Sequence, residues 1–322
     1  MTQPLLGYRD FSLEFPTPEG PAKALDRGSI TVGAGEIVGL VGESGSGKSV
    51  AAMSAMRLLP RGAYRVTGGS LNVFGRDVMA MDARDLEALR GAEIGMIFQE
   101  PMNALNPAIR VGEQIAAVLR RHKRLGRAEA SAEAERLLGD MLIADPAVVM
   151  KLYPAALSGG MRQRVLIAMA FACKPRLLIA DEPTTALDVT VQAQVLSIIR
   201  DRARALGTAV LFISHDMAVV GQLCDRLYVL YAGTVVESGP TQAVLAAPRH
   251  PYTRVLLAAL PDGHPPRSEL AAIPGSVPSL VDPPEGCRFR PRCARAADDC
   301  TRRPPLGEAP HAAACWHPEI AA

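Results

Sequence analysis

A glycine-rich segment that ends in lysine and serine is the clearest candidate for chemistry in this sequence of 322 residues. Residues 42–49 read GESGSGKS and fit the pattern G-x-x-x-x-G-K-[ST]. The glycines allow backbone N–H groups to turn towards phosphate oxygens, and a helix that begins near Lys48 points its positive end at the same anion. Lys48 would reach the β- and γ-phosphates, and the Ser49 hydroxyl would ligate Mg²⁺. The segment therefore predicts a nucleoside triphosphate site made of Gly42, Glu43, Ser44, Gly45, Ser46, Gly47, Lys48 and Ser49.

Two adjacent carboxylates follow the apolar run Leu177–Ala180. Neighbouring residues of a strand point to opposite sides, so Asp181 and Glu182 are expected to have different roles. Asp181 would hold Mg²⁺ through water. Glu182 would face the γ-phosphate and polarise the attacking water as a general base. Together with the phosphate loop, the pair predicts hydrolysis of a nucleotide.

A second candidate anion site lies in the segment LSGGMRQR, residues 157–164. Ser158, Gly159 and Gly160 precede a predicted helix of residues 161–173, whose first N–H groups would face an anion. This segment resembles the signature motif of ATP-binding-cassette (ABC) ATPases. The resemblance implies that two cassettes pack head to tail and that the signature of each caps the ATP held by the phosphate loop of the other.

Other landmarks of that family occur in the expected order. Gln99, in GMIFQEP, matches the glutamine loop, which implies contact with Mg²⁺ and the water and a link to a membrane partner. Ala186-Leu187-Asp188 matches the D-loop, which crosses the dimer seam. His215 matches the switch histidine, which would hydrogen-bond the γ-phosphate. The resemblance thus implies that Glu182, His215 and Gln99 act in catalysis.

An aromatic residue is expected to stack on the adenine ring. Phe15 is the candidate, and two aromatics lie nearby, Tyr8 and Phe11. The adenine contact would complete an ATP·Mg²⁺ site in which Ser49, Gln99 and Asp181 hold the metal.

Strands that alternate with helices position these motifs. Residues 189–206 read as an amphipathic helix, and short buried strands are predicted at residues 36–41, 177–180 and 209–213. Such alternation predicts a parallel α/β sheet, whereas residues 101–160 read as several helices. The resemblance implies a P-loop NTPase cassette over residues 1–260, with a RecA-like core, an antiparallel β subdomain and a helical subdomain at about residues 101–160.

The composition changes at the C-terminal end. Residues 261–322 hold 12 of the 26 prolines and four of the six cysteines, and are predicted to form a small separate domain. Cys287, Cys293, Cys300 and Cys315 have 5, 6 and 14 residues between them, unlike the paired cysteines of zinc ribbons. Four thiols in a segment with little core suggest a metal as a staple. An iron–sulfur cluster, zinc and no metal at all remain open on these grounds.

Histidines and the other two cysteines have lesser predicted roles. His311 and His317 would be ligands only if one of the four cysteines is not. Cys173 and Cys224 lie in apolar helical surroundings and are expected in the core.

Two short segments of the C-terminal part resemble a narrower family. GCRFRPRC at residues 286–293, followed by Cys300 and Cys315, is similar to the C-terminal extension of oligopeptide/dipeptide/nickel importer ATPases, as is HPYT at residues 250–253. With the cassette, the resemblance covers nearly the whole chain. It implies a [4Fe–4S] site on the four cysteines in at least some members, with zinc as the alternative. A structural staple is the expected role, and a redox or iron sensor is a second hypothesis.

Charge and hydropathy bound the possible partners. The formal net charge is +2, so the chain is nearly neutral, whereas proteins that bind nucleic acid are typically basic. The longest apolar run, Val165–Cys173, is too short to cross a bilayer, and the first residues do not resemble a signal peptide. The chain is therefore expected in the cytoplasm, without nucleic acid as a partner.

The resemblance implies the ATP-hydrolysing subunit of an ABC importer at the cytoplasmic face of the inner membrane. Its implied partners are a paralogous cassette, two transmembrane permease subunits and an extracytoplasmic solute-binding protein. Di- and oligopeptides are the expected solutes, with nickel chelates and glutathione open. The alternative is a soluble ABC ATPase that acts in DNA repair or iron–sulfur assembly.

Overall fold

The computed structural model describes residues 3–99, 104–185, 187–259 and 273–319. Its strands are β1 (Leu6–Thr17), β2 (Gly20–Val32), β3 (Ile37–Val41), β4 (Arg65–Val73), β5 (Arg76–Asp77), β6 (Ile94–Ile97), β7 (Leu177–Asp181), β8 (Ala209–Ser214), β9 (Arg226–Tyr231), β10 (Thr234–Pro240) and β11 (Ala312–Ala313). Its α-helices are α1 (Lys48–Ala55), α2 (Ala83–Leu89), α3 (Val111–Lys123), α4 (Arg127–Asp140), α5 (Pro146–Val149), α6 (Gly159–Phe171), α7 (Val189–Leu206), α8 (Met217–Leu223), α9 (Thr241–Ala246) and α10 (Pro251–Ala258). Short 3₁₀ turns form at Pro154–Ala156, Arg290–Arg292 and Asp298–Thr301.

Contacts divide the chain into two compact units. The first unit contains Gly33–Glu36 and Ala80–Phe212 with the N-terminal residues before Leu6. The second contains Leu6–Val32, Ile37–Met79 and the chain from Ile213 onwards. The described C-terminal residues therefore share a unit with the phosphate loop.

The first unit joins strands to a group of helices. β7 lies between β8 and β6, runs parallel to β6 and is buried along its whole length, as its apolar run predicts. The predicted helical stretch contains α3, α4 and α5, and α3 buries Val111, Ile115 and Leu119 at the four-residue spacing of one helix face. Helix α4 packs on both α3 and α6.

The second unit contains an antiparallel sheet and a second set of strands. The antiparallel strand order is β2-β1-β4-β5. In the second set, of order β11-β10-β9-β3, β3 runs parallel to β9 while β10 is antiparallel to β9 and β11. The C-terminal strand β11 pairs with Glu237 and Ser238 at the edge of β10. Edge pairing thus orders a segment whose prolines prevent long helices or strands.

The predicted fold class is confirmed: the chain has an α/β cassette fold with an antiparallel β part. The helix predicted to begin near Lys48 does so and ends at Ala55, because Arg57 has a φ of +50° and Pro60 follows. The signature helix covers Gly159–Phe171, two residues earlier than predicted. The boundary near residue 260 remains a prediction. Among the described residues, no helix combines the length and apolar character needed to cross a membrane.

Candidate nucleotide-binding site

Two positions of the phosphate loop require glycine. Gly42 has a φ of +151°, and a Cβ there would lie 2.1 Å from the carbonyl oxygen of Leu230. Gly47 has a φ of +104°, and its Cβ would lie 2.4 Å from the carbonyl oxygen of Ala24. These values explain the glycines in the motif, since any side chain would meet backbone atoms that cannot move away.

The loop presents donors suited to phosphate. Lys48 is buried, and its Nζ donates to the carbonyl oxygens of Gly42 (2.8 Å) and Glu43 (3.0 Å). Helix α1 begins at Lys48, and Gly47 offers no side chain to cap it. The buried Ser46 Oγ has no hydrogen-bond partner among the described residues. An ammonium group, an uncapped helix start and an unsatisfied hydroxyl together fit a phosphate ligand.

The acidic pair sits where β7 ends. Asp181 is the last strand residue and is 5% exposed. Glu182 has a φ of +46°, so the chain turns there. The different surroundings of the two carboxylates come from this turn and not from strand alternation, which was the predicted reason. Glu182 Oε2 accepts from Gln99 Nε2 at 3.1 Å and from Thr185 Oγ1 at 3.0 Å, so two predicted catalytic residues lie together.

The signature and the D-loop both lie at helix starts. Ser158 caps α6, its Oγ accepting from the N–H of Met161, and both Ser158 and Gly159 are exposed. Asp188 caps α7 by accepting from the N–H of Val191. Ala186 lies outside the described residues. The exposed signature leaves the start of a 13-residue helix at the surface.

His215 is exposed in the turn between β8 and α8. The turn is fixed on either side of it: Ser214 Oγ accepts from the N–H of Asp216, and Asp216 caps α8. The adenine contact was assigned to Phe15, which is half-buried. The nearby aromatics are both buried, and the hydroxyl of Tyr8 donates to the carbonyl of Ala51. Phe15 is thus the most accessible of the three aromatic rings.

The four C-terminal cysteines line one small cavity in the second unit, together with His250 and His317. Burial raises the pKa of Cys287, Cys293 and Cys315, that of Cys315 to about 11. Burial also lowers the pKa of His250 to about 3, so this side chain is neutral at physiological pH. His311 does not line this cavity: its Nε2 lies 2.7 Å from Glu237 Oε1.

Contacts around Glu43 were missed by the sequence reasoning. Its carboxylate pairs with Arg292, and its N–H donates to the hydroxyl of Tyr252. The motifs RPRC and HPYT contain these partners, but neither spacing nor residue type indicates that they reach a loop more than 200 positions earlier.

The comparisons decide the family. Residues 25–185 match the family described as ABC transporter, and residues 236–300 match the oligopeptide/dipeptide transporter C-terminal region. The chain belongs to the ABC transporter family. It is an ATP-binding subunit of the kind that hydrolyses ATP to power transport.

Two curated relatives and one solved structure illustrate the likeness. The probable D,D-dipeptide transport ATP-binding protein DdpD of Escherichia coli strain K12 is 55% identical, over 99% of this chain and 98% of its own. The oligopeptide transport ATP-binding protein OppD of Salmonella typhimurium is 46% identical, over 94% and 90%. The dimeric ATP-binding cassette MJ0796 bound to ADP and phosphate is 25% identical, with a TM-score of 0.66 over 73% of this chain and 98% of that one. The alternative of a soluble cassette for DNA repair or iron–sulfur assembly receives no support from these relatives.

Proposed function

We propose that this ABC protein hydrolyses ATP to drive the import of di- or oligopeptides. The observation that carries the proposal is the combination, in one chain, of the cassette with the C-terminal region of oligopeptide/dipeptide transporters. Relatives matched over nearly the whole length are named for dipeptide and oligopeptide transport. Nickel chelates and glutathione are solutes that the experiment below must separate from peptides.

The phosphate loop binds ATP. Lys48 contacts the β- and γ-phosphates, and the neighbouring N–H groups of residues 42–49 contact the phosphate oxygens. Phe15 stacks on the adenine ring. Ser49, Gln99 and Asp181 hold Mg²⁺, which neutralises charge on the phosphates. Phosphate binding by this loop is supported by the ammonium group of Lys48 and by the buried Ser46 hydroxyl, which has no hydrogen-bond partner among the described residues.

Glu182 activates the attacking water as a general base. Gln99 donates to the carboxylate of Glu182 and orients that carboxylate. His215 donates to the γ-phosphate. The signature residues Ser158, Gly159 and Gly160 and the D-loop residue Asp188 act on a nucleotide held by a second cassette. Exposure of the signature at a helix start supports this role.

The second cassette is a paralogue, so the nucleotide-binding pair is a heterodimer. Two permease subunits anchor the pair at the cytoplasmic face of the inner membrane, and an extracytoplasmic binding protein delivers the solute. Specificity for the solute then resides outside this chain.

An uptake experiment tests the substrate class. Cells that lack this gene are complemented with the wild-type chain or with Lys48→Ala, and uptake of a labelled dipeptide, a labelled pentapeptide, glutathione and a nickel–histidine chelate is measured. We expect the wild-type chain alone to restore uptake of a peptide. Restored uptake of nickel or glutathione without any peptide would overturn the peptide assignment.

We also propose that Cys287, Cys293, Cys300 and Cys315 hold a [4Fe–4S] cluster. Cysteine thiolates are the usual ligands of such clusters. Tetrahedral zinc with Zn–S bonds of about 2.3 Å brings its four sulfurs within about 4 Å of one another. In the described ranges, the three potential ligand atoms that all lie within 4.8 Å belong to Asp299, Cys300 and His317, and the four cysteine sulfurs form no such group. All four cysteines line one cavity, which supports a shared site for a cluster.

Anaerobic purification tests the cluster. We expect a broad absorption band near 400 nm and about four irons per chain, both lost in Cys293→Ser and both kept in Cys173→Ala. Cys173 is the matched control because it is a buried cysteine that follows α6 and is not among the residues lining the cavity. Stoichiometric zinc, or a folded active chain without metal, would contradict the proposal.

A further inference from the structure

We propose that Arg292 and Tyr252 are positioning residues that clamp Glu43 and thereby set the affinity of the phosphate loop for ATP. The proposal rests on the assignment of residues 42–49 as the nucleotide site. It gives the C-terminal segment a direct role at that site, through contacts within a single unit of the fold.

Glu43 is held both by its side chain and by its backbone. Arg292 Nη1 lies 2.9 Å from Glu43 Oε2, and Arg292 Nη2 lies 3.2 Å from Glu43 Oε1, which makes a two-pronged ion pair. The backbone N–H of Glu43 donates to the hydroxyl of Tyr252 at 2.9 Å. Side chain and backbone are therefore fixed independently, so the loop cannot rotate at its second residue without losing one of them.

The clamp matters because the loop also binds its own lysine. Lys48 Nζ donates to the carbonyl oxygens of Gly42 and Glu43, and the N–H of Ser46 donates to the carbonyl of Glu43. A lysine that contacts phosphate must share or leave these carbonyls. During that exchange, Arg292 and Tyr252 hold Glu43 through contacts that do not involve its carbonyl. A preformed loop binds phosphate with a smaller loss of entropy.

Arg292 is a rigid support and not a flexible surface side chain. Its side chain is 4% exposed, Nη1 also donates to the hydroxyl of Tyr231 at 3.2 Å, and Nε donates to the carbonyl of Pro274 at 2.8 Å. Its guanidinium lies near the ring of Tyr231, which itself packs 4.6 Å from the ring of Tyr252. Arg292 and Tyr252 thus both pack against the ring of Tyr231. Cys293 follows Arg292 directly, so the clamp is one peptide bond from the cysteine cavity.

A second buried pair provides a matched control. Arg288 pairs with Asp26 at 2.7 Å. The arginine and carboxylate side chains of this pair are 4% and 24% exposed, the same fractions as in the Arg292–Glu43 pair. Arg288 also donates to the carbonyls of Ala232 and Lys23. These partners lie outside residues 42–49. Gly233, which follows Ala232, donates its N–H to the carbonyl of Ser46, so Arg288→Met controls for loss of a buried tail arginine that reaches the loop without touching Glu43.

The experiment compares ATP hydrolysis by the complete importer carrying Arg292→Met, Arg292→Lys, Tyr252→Phe or Arg288→Met. We expect Arg292→Met to raise KM for ATP about tenfold with kcat within about twofold of wild type. Arg292→Lys restores part of the affinity, because it keeps the charge but not the planar fork. Arg288→Met lowers the thermal unfolding midpoint of the chain but leaves KM within about twofold.

Each other outcome has a defined meaning. An unchanged KM in Arg292→Met, or an equal rise in Arg288→Met, overturns the clamp. If Arg292→Met does not fold, Tyr252→Phe, which deletes one hydroxyl, is decisive: we expect KM to rise about threefold, and no rise overturns the proposal. Lys48→Ala distinguishes failure of the clamp from failure of the proposed nucleotide site. If that variant still binds ATP, the site itself is wrong; if it does not and the clamp variants are normal, only the clamp fails.

Discussion

Glu182→Gln is expected to stop ATP hydrolysis while leaving ATP binding intact. Glutamine has the size of glutamate and retains an oxygen that accepts from Gln99 and Thr185, as Glu182 Oε2 does. It does not take a proton from water at neutral pH, and general-base catalysis contributes about 10²–10⁴ in rate. The rate of phosphate release should fall at least about a hundredfold, and the ATP-bound pair of cassettes should accumulate.

The readouts for this variant are phosphate release by the importer and the size of the cassette pair in the presence of ATP and Mg²⁺. Glu87→Gln is the control, since Glu87 is an exposed carboxylate that pairs with Arg121 on the same unit. The control should keep the wild-type rate. Full activity in Glu182→Gln would remove Glu182 from the catalytic role.

Lys48→Ala is expected to abolish tight ATP binding. Hydrogen bonds to charged groups are worth about 1.5–3 kcal/mol each, and about 1.4 kcal/mol corresponds to a tenfold change in affinity. Loss of the ammonium group should therefore raise the Kd for ATP·Mg²⁺ at least about tenfold, and hydrolysis should fall with it.

Calorimetric titration of the full chain with ATP and Mg²⁺ measures this effect. Lys151→Ala, which removes an exposed lysine, should bind as the wild type does. The unfolding midpoint must be recorded as well, because Lys48 Nζ also holds two carbonyls of the loop. A Kd within twofold of wild type would refute the assignment of the loop.

Local patterns in the sequence were sufficient for the elements that carry the motifs. The apolar runs before the phosphate loop and before Asp181 are buried strands, and the helix predicted at residues 189–206 has those bounds. Such features depend on periodicity and on turn residues a few positions apart, which a single sequence displays.

Contacts between distant segments were not predictable in this way. Glu43 contacts Arg292, 249 positions away in the sequence, and Tyr252, 209 positions away. Neither residue type nor spacing predicts such contacts. The turn at Glu182 was also missed, because a positive φ at a glutamate is set by surrounding structure and not by its own preference. His311 had been a conditional ligand and instead lies against the buried Glu237, which only the pairing of β10 and β11 brings near it.

The most direct test of the account is phosphate release by the complete importer reconstituted in lipid vesicles, with and without peptide-loaded binding protein outside. We expect ATP hydrolysis to rise several-fold when the loaded protein is added, with peptide accumulating inside the vesicle only while ATP is consumed. The same vesicles containing Glu182→Gln should show neither effect. Hydrolysis that is indifferent to the peptide, or peptide accumulation that continues in Glu182→Gln, would contradict the account.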